Sequence, residues 1–253
     1  MKLMLLITFS LALLLGGFCL KKSCLHGTHH KAAPSPEHGM LECQLYSDSS
    51  CCHANFTKQI SSSPVIKVDN FYWNRCGNLS KACENYMKKI ECFYQCSPSA
   101  AHWVHPNMSV AIQHVPVCRD FCDSWFEACR SDLVCAHNLI TDWTIDESGN
   151  HCKNDCIPFE QMYVNGTDLC ESAWGFSFRV SSCPCRCLDM TPTDKKVIKY
   201  ILHDKHSEES GEEESELKKA CKSRFKDLET EKAWSRKKTT NRHEKNLRGW
   251  GRK

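Results

Sequence analysis

The chain contains 253 residues, of which 41% are hydrophobic and 25% charged, and it includes 20 cysteines. So many cysteines indicate a disulfide scaffold, and one domain plus tails is the default architecture at this length. Residues 1–203 carry a net charge near −1, which argues against nucleic-acid binding by the globular part.

The first 18 residues have the parts of a secretory signal peptide. A basic start is followed by an apolar run from Leu3 to Leu15 and by two glycines. The run is short for a membrane span, and a short N-terminal anchor is the alternative. We therefore expect a secreted, extracellular protein without a membrane anchor, in which spacings such as Cys92-x3-Cys96 indicate disulfides and no metal site.

Residues 19–203 form the predicted domain, because eighteen cysteines fall between Cys24 and Cys187. Apolar residues at steps of three and four predict helices over Ser80–Cys96 and Pro116–Arg130, with Pro116 in the first turn. Residues 191–203 are expected to form a short closing helix.

The sequence also predicts modifications and two charged C-terminal segments. N-glycosylation sequons begin at Asn55, Asn78, Asn107 and Asn165. Residues 204–217 contain seven acidic residues against one lysine, and Ser207 and Ser210 match a Ser-x-Glu phosphorylation pattern; an unmodified acidic linker is the alternative. Residues 218–253 form a basic tail with fourteen Lys and Arg against four acidic residues.

The sequence contains no recognisable set of catalytic residues, and we expect that the protein is not an enzyme. Aromatic residues are instead dense within the cysteine-rich region. Each ring taken alone favours core packing, whereas the set could line a slot for a flat ligand. The spacing of the rings leaves both readings open.

Several motifs with their cysteines resemble the folate receptor family, and within it most closely the riboflavin-binding branch. The motifs are Glu42-Cys-x-Leu-Tyr-x(4)-Cys51-Cys52, Tyr72-Trp-Asn-Arg-Cys-Gly77, Ile90-Glu-Cys-Phe-Tyr-Gln-Cys-Ser-Pro98, Val115-Pro-x-Cys-x(3)-Cys122 and Cys170-Glu-Ser-Ala-Trp174. The resemblance runs from about Cys24 to Met190 and continues weakly to Cys221.

This resemblance implies a single disulfide-rich α+β domain, mainly helical with short strands. It also implies nine bridges: Cys24–Cys51, Cys43–Cys92, Cys52–Cys96, Cys76–Cys156, Cys83–Cys129, Cys118–Cys187, Cys122–Cys170, Cys135–Cys152 and Cys185–Cys221. Cys183 is then the extra cysteine, although its closeness to Cys185 leaves open which of the two pairs with Cys221.

The ligand that the resemblance implies is riboflavin, with its isoalloxazine ring between Tyr94 and Trp174. Trp103 and Trp143 match further pocket aromatics, and Leu139 stands where relatives have Trp. The resemblance also implies a monomeric vitamin carrier without an enzyme cofactor, taken up by a receptor when loaded. The alternatives are a folate binder, disfavoured because Asn107–His114 lacks the family's basic insert, and an adhesion protein with a degraded pocket.

Intact mass spectrometry of the secreted protein tests the leader and the modifications together. We expect a chain that begins near Phe18–Leu20, a mass drop on enzymatic removal of N-glycans, and a further drop on phosphatase treatment. A mass equal to that of the unmodified chain would contradict both modification predictions.

Overall fold

The computed structural model describes residues 23–204, and the predicted signal peptide, Ser207, Ser210 and Cys221 lie outside this range. Within it, six α-helices and twelve short strands form the α+β arrangement that the sequence predicts. The helices are α1 (Ala54–Gln59), α2 (Lys81–Cys96), α3 (Arg119–Cys129), α4 (Phe159–Met162), α5 (Gly166–Ser172) and α6 (Asp194–Asp204).

The strands pair only two by two. The sheets are β1 (His30–Ser35) with β2 (Ser50–Cys52), β3 (Lys67–Val68) with β4 (Phe71–Tyr72), β5 (Val104–His105) with β6 (Met108–Ile112), β7 (Val115–Cys118) with β12 (Phe178–Ser181), β8 (Leu133–Val134) with β11 (Ile157–Pro158), and β9 (Trp143–Asp146) with β10 (Gly149–Cys152). The β7–β12 pair is parallel and the other five are antiparallel. Because an isolated pair of strands is only marginally stable, these sheets need support from outside.

Helix α2 forms where the sequence predicts it. The side chain of Ser80 caps it by accepting the backbone N–H of Cys83 at 3.3 Å. One face of this helix packs into the main core through Cys83, Met87 and Ile90, whose exposed fractions are 0%, 7% and 3%. The helix therefore presents an apolar face to the core and a second face, described below, to a cavity.

The predicted start of the helix over Pro116–Arg130 is wrong. Residues Val115–Cys118 form β7, and α3 begins only at Arg119. Pro116 tolerates the strand because its carbonyl, and not its missing N–H, makes the cross-strand bond: it accepts the N–H of Leu188 at 2.9 Å.

The closing helix is also present, as α6. Its first residue, Asp194, caps the preceding turn, since its carboxylate accepts the N–H groups of Asp189 and Thr191, both at 3.2 Å. Val197 and Ile198 pack into the main core from this helix.

Eight disulfides cross-link the described residues. They join the same partners as eight of the nine pairs that the family resemblance implies: Cys24–Cys51, Cys43–Cys92, Cys52–Cys96, Cys76–Cys156, Cys83–Cys129, Cys118–Cys187, Cys122–Cys170 and Cys135–Cys152. Cys83–Cys129 ties α2 to α3, and Cys122–Cys170 ties α3 to α5. The three central helices are thus covalently joined in a row.

The ninth predicted pair falls partly outside the described range. Cys185 is disulfide-bonded, and Cys221, its predicted partner, is not described. Cys183 carries an exposed free thiol. Within residues 23–204, no helix is long and apolar enough to cross a bilayer.

The packing of α3 against α5 depends on a glycine. A Cβ atom at Gly166 would lie 2.5 Å from the backbone carbonyl carbon of Cys122 and 2.5 Å from the backbone nitrogen of Asp123. The preceding Asn165 caps α5 by accepting the N–H of Asp168 at 3.0 Å. Only a residue without a side chain lets the capped start of α5 approach α3 this closely.

We expect Gly166→Ala to lower the free energy of unfolding by about 3 kcal/mol, because backbone atoms cannot yield as a flexible side chain would. The substitution keeps the Asn165 sequon intact. Urea unfolding under non-reducing conditions measures the effect. Gly39→Ala is the control: Gly39 has φ +75° and nothing within 4 Å, so it should lose only about 1 kcal/mol from backbone strain. Equal losses for the two variants would refute the close-packing argument.

Candidate ligand-binding site

A cavity of about 510 Å³ opens between α2, the β3–β4 hairpin, β8, β9 and the segment that follows α5. Its wall is predominantly apolar. Six aromatic residues line it: Phe71, Tyr72, Trp73, Trp143, Phe159 and Trp174. Volume and lining both fall in the range of small-molecule binding sites.

One face of α2 forms a wall of this cavity. Met87, Glu91 and Gln95 follow each other at steps of four residues, so they lie on one side of the helix and all three line the cavity. Two of the three are polar, which explains why the apolar pattern of the sequence assigned this face to no site.

A buried asparagine holds the aromatic wall of β4 against β10. The N–H of Tyr72 donates to Oδ1 of Asn150 at 2.6 Å, and Nδ2 of Asn150 donates to the carbonyl oxygen of Tyr72 at 3.0 Å. Asn150 is 0% exposed, so both bonds are shielded from water. The strands approach closely here because Gly149 has no side chain: a Cβ would lie 2.6 Å from the carbonyl oxygen of Asn70.

Trp143, one of the predicted site residues, lines the cavity. Its indole Nε1 donates to the carbonyl oxygen of Leu139 at 3.1 Å, and its ring meets Phe71 edge-on with centroids 5.4 Å apart. Leu139 also lines the cavity, and its N–H donates to the carbonyl oxygen of Ala173 at 2.7 Å. The segment around Leu139 therefore connects Trp143 to the neighbour of Trp174.

Trp174, the second predicted residue at the cavity, has a buried indole N–H with no hydrogen-bond partner among the described residues. Buried polar groups are ordinarily paired, and leaving one unpaired costs about 1–3 kcal/mol. The indole nitrogen itself is closed to solvent, so Trp174 presents its ring surface and not its N–H to the cavity.

The other two predicted aromatics do not line this cavity. Tyr94 is half-buried: its hydroxyl donates to the carbonyl oxygen of Val110 at 2.5 Å, and its ring meets that of His30 edge-on at 5.4 Å. Trp103 is only 6% exposed and packs in the main core, with its ring 6.3 Å from that of Phe93. The structure thus brings together Trp143 and Trp174 out of the four.

Tyr94 and the residues after Trp174 nevertheless contact the same segment. Val110, in β6, accepts the hydroxyl of Tyr94, and four residues later the N–H of His114 donates to the carbonyl oxygen of Phe176 at 2.9 Å. Residues 110–114 therefore connect Tyr94 by hydrogen bonds with Phe176, two positions after Trp174.

Two carboxyl groups in the cavity wall titrate differently. Burial, and after it the charge of nearby Asp69, raise the pKa of Glu91 to about 7, although a hydrogen bond with Gln95 acts in the opposite direction. Burial acts on the pKa of Asp69 in the same sense, but hydrogen bonds with His29 at 2.6 Å and Gln59 at 3.1 Å hold it below its ordinary value.

The cavity also contains one arginine. The guanidinium of Arg75 lies 4.1 Å from the centroid of the Tyr72 ring, and its Nη2 donates to the carbonyl oxygen of Ser148 at 3.1 Å. Its Nε is buried without a hydrogen-bond partner among the described residues. Sequence reasoning missed Glu91, Asp69 and Arg75, because nothing in their spacing distinguishes them from surface charges.

Two arrangements that resemble chemical centres have structural explanations. Ser148 and Asp146 both contact the same ring nitrogen of His151, at 2.8 and 3.0 Å, whereas a catalytic triad uses both nitrogens. They brace the β9–β10 turn, where hydrogen bonds from Ser148 and His151 lower the pKa of Asp146 to about 2.

A group of four sulfur atoms lies beside the cavity. The Sγ atoms of Cys76, Cys135, Cys152 and Cys156 are all within 4.8 Å of one another. They form two disulfides, Cys76–Cys156 and Cys135–Cys152, so the thiolates that a metal ion would need are consumed.

The four predicted glycosylation sites are all exposed: Asn55, Asn78, Asn107 and Asn165. They stay predictions, as do the phosphorylation sites, which lie outside the described residues. Carbohydrate at any of these four positions would extend into solvent from the surface.

Comparison with known proteins places the chain in a family. The model of the folate receptor family matches residues 23–189. The riboflavin-binding protein of Dromaius novaehollandiae is 59% identical over 194 residues, which cover 76% of this chain and 82% of the relative. The riboflavin-binding protein of Gallus gallus is 57% identical over 194 residues, with the same two coverages. Folate receptor gamma of Homo sapiens is 31% identical over 166 residues, covering 63% of this chain and 67% of the receptor. The resemblance seen in the motifs is confirmed, and the chain belongs to the folate receptor family.

Proposed function

We propose that this protein is a secreted carrier that binds riboflavin in the cavity beside Trp174. The observation that carries the proposal is the cavity itself, with its predominantly apolar wall and its six aromatic residues. The relatives add weight, because the two named for riboflavin binding share 57–59% identity with the chain and folate receptor gamma shares 31%.

A flat heteroaromatic ring suits this wall for a physical reason. Burying the ring removes apolar surface from water, and each offset stacking contact adds about 1 kcal/mol beyond the burial. The Cys76–Cys156 and Cys135–Cys152 bridges beside the cavity hold that part of its wall in place before binding, so little conformational entropy is lost there on ligand entry.

The polar groups of the wall also suit a flavin. Arg75, Glu91 and Gln95 line the cavity, and their donors and acceptors complement the carbonyl oxygens, the ring nitrogens and the N–H of isoalloxazine. A ligand that pairs with these groups gains hydrogen bonds that a purely apolar ligand would not make.

Within this proposal, Trp174 supplies one stacking face and Trp143 closes the side of the cavity. Tyr94 stays the proposed second stacking face, although it does not line this cavity, so its ring would have to turn away from His30 and Val110 when the ligand enters. Trp103 would act indirectly, by supporting the core beneath this wall.

The proposal extends to the biology of a carrier. Eight disulfides among residues 23–204 favour an extracellular protein, and the relatives are named as binding proteins and receptors rather than as enzymes. We further propose a monomer that is taken up by a receptor when loaded. Folate binding and adhesion remain the competing functions.

Titration of riboflavin with the purified protein tests the function. Shielding of both ring faces should quench flavin fluorescence with a 1:1 end point, and the same titration with folate should show much weaker binding. Undiminished emission at protein excess would argue against a carrier, and tighter binding of folate would favour the competing ligand.

Variants of Trp174 test the site. We expect Trp174→Ala to weaken riboflavin binding by about 1–3 kcal/mol, and Trp174→Phe to weaken it less, because a stacking face remains while the N–H is lost. Isothermal titration or fluorescence quenching measures the dissociation constants. Tyr94→Ala, measured alongside, shows whether the second proposed face contributes.

Trp125→Phe is the matched control for these variants. Trp125 is 0% exposed and its indole N–H is likewise unpaired, but it does not line the cavity. Riboflavin affinity should therefore stay near that of the unsubstituted protein. If Trp125→Phe weakened binding as much as Trp174→Phe, the loss of affinity would reflect general destabilisation, and Trp174 would no longer be assigned to the binding site.

A further inference from the structure

The cavity wall holds three charged side chains, Asp69, Glu91 and Arg75, and they are not equally compensated. Asp69 is bonded by the ring nitrogen of His29 at 2.6 Å and by the amide of Gln59 at 3.1 Å. Its charge therefore has neighbours that stabilise it whether or not a ligand is present.

Arg75 also has partners on the protein, although its Nε has none among the described residues. Its guanidinium is stacked over Tyr72 and bonded to the backbone of Ser148, which directs it toward the β9–β10 turn. Its unpaired Nε is buried and closed to solvent, so this donor is not offered to a ligand.

Glu91 differs from both. It lies on α2 between Met87 and Gln95, and among residues 23–204 it forms no ion pair with a cationic side chain. Lys88, which lies one turn earlier on the same helix, is already paired with Glu42 and Glu84, both at 3.2 Å. Glu91 is thus a carboxylate whose charge nothing on the described protein neutralises.

An uncompensated carboxylate in a low-dielectric cavity acts on any charge that enters. Water screens such charges weakly once a ligand fills the space, so repulsion between Glu91 and an anion is strong. A neutral ring with donor groups experiences no such repulsion and can donate a hydrogen bond to the carboxylate.

Resting on the proposed function, we propose that Glu91 is a specificity-determining residue: its carboxylate admits uncharged riboflavin and excludes anionic derivatives of the same ring system. The excluded ligands are flavins that carry a phosphate or carboxylate group on the side chain of the ring. The cavity would then distinguish a free vitamin from its charged metabolic forms by charge, without a steric barrier.

The protonation of Glu91 gives this inference a measurable signature. Burial first, and then Asp69, raises the pKa of Glu91 to about 7. The carboxyl is therefore charged at pH 8 and neutral at pH 6, so exclusion of anions should be strong at pH 8 and relaxed at pH 6. The pKa of Asp69 is lowered, and that carboxylate stays ionised throughout this window.

The other charged or titratable groups around Glu91 are few. Asp69 acts on Glu91 by its charge, and His29 is bonded to Asp69. Tyr94 lies on the same helix, with His30 packed against its ring. Arg75 and Tyr72 line the same cavity. Burial raises the pKa of Tyr94 above its ordinary value, so this phenol stays neutral between pH 6 and pH 8. The arginine stays charged at both pH values.

The experiment compares riboflavin with 10-carboxymethylflavin, whose carboxylate is ionised from pH 6 to pH 8. The quantity measured is the ratio of the two dissociation constants, anionic over neutral, by fluorescence quenching at both pH values. In the unsubstituted protein this ratio should be about tenfold larger at pH 8 than at pH 6. In Glu91→Gln the ratio should be small and the same at both pH values.

Two further variants make the result specific. Glu91→Asp keeps the charge and should keep the large ratio at pH 8. Glu127→Gln removes one negative charge from an exposed side chain outside the cavity and should behave as the unsubstituted protein. Circular dichroism of each variant checks that it is folded.

The outcomes separate the two proposals. If riboflavin binds and Glu91→Gln keeps the full pH-dependent ratio, the charge-exclusion inference is overturned while the carrier function stands. If neither flavin binds the unsubstituted protein, the proposed function fails, and the inference fails with it. If the ratio of dissociation constants also falls in Glu127→Gln, the effect comes from the net charge of the protein and not from Glu91.

Discussion

Covalent cross-linking is the constraint on which this structure depends. Every sheet among residues 23–204 has only two strands, and such pairs cannot stabilise a domain by themselves. Eight disulfides close loops with sequence separations from 17 to 80, which restricts the unfolded chain and holds the short elements in contact. Because the bridges stabilise the fold, the chain can keep an open, largely apolar cavity beside the Cys76–Cys156 and Cys135–Cys152 bridges.

The cavity combines rigid walls with unsatisfied groups. Asn150 fixes β4 to β10 by two buried hydrogen bonds, and Leu139 fixes Trp143 to the segment before Trp174. The same region leaves the indole N–H of Trp174 unpaired and the carboxylate of Glu91 uncompensated. Both features lower the stability of the fold, as is typical of a site shaped for binding rather than for stability.

The main elements and the family were accessible from the sequence because local patterns determine them. Helix α2 follows from its apolar spacing and from the cap at Ser80, and the cysteine framework with its neighbouring motifs identified the folate receptor family. The start of α3 was predicted wrongly, since Pro116 suits a first helical turn by its own geometry. Its pairing with β12 and Leu188, which are distant in sequence, places it in a strand instead.

The sequence by itself therefore determined the fold class through the family resemblance, three of the six helices among residues 23–204, and the residue types available for a ligand. Only the tertiary structure decided which of those residues share a cavity: Trp143 and Trp174 do, whereas Tyr94 contacts β6 and Trp103 packs in the core. It also revealed Glu91, Asp69 and Asn150, whose roles arise from burial and from partners far along the chain. Burial and long-range contacts depend on how the elements pack, and no local pattern of residues encodes them.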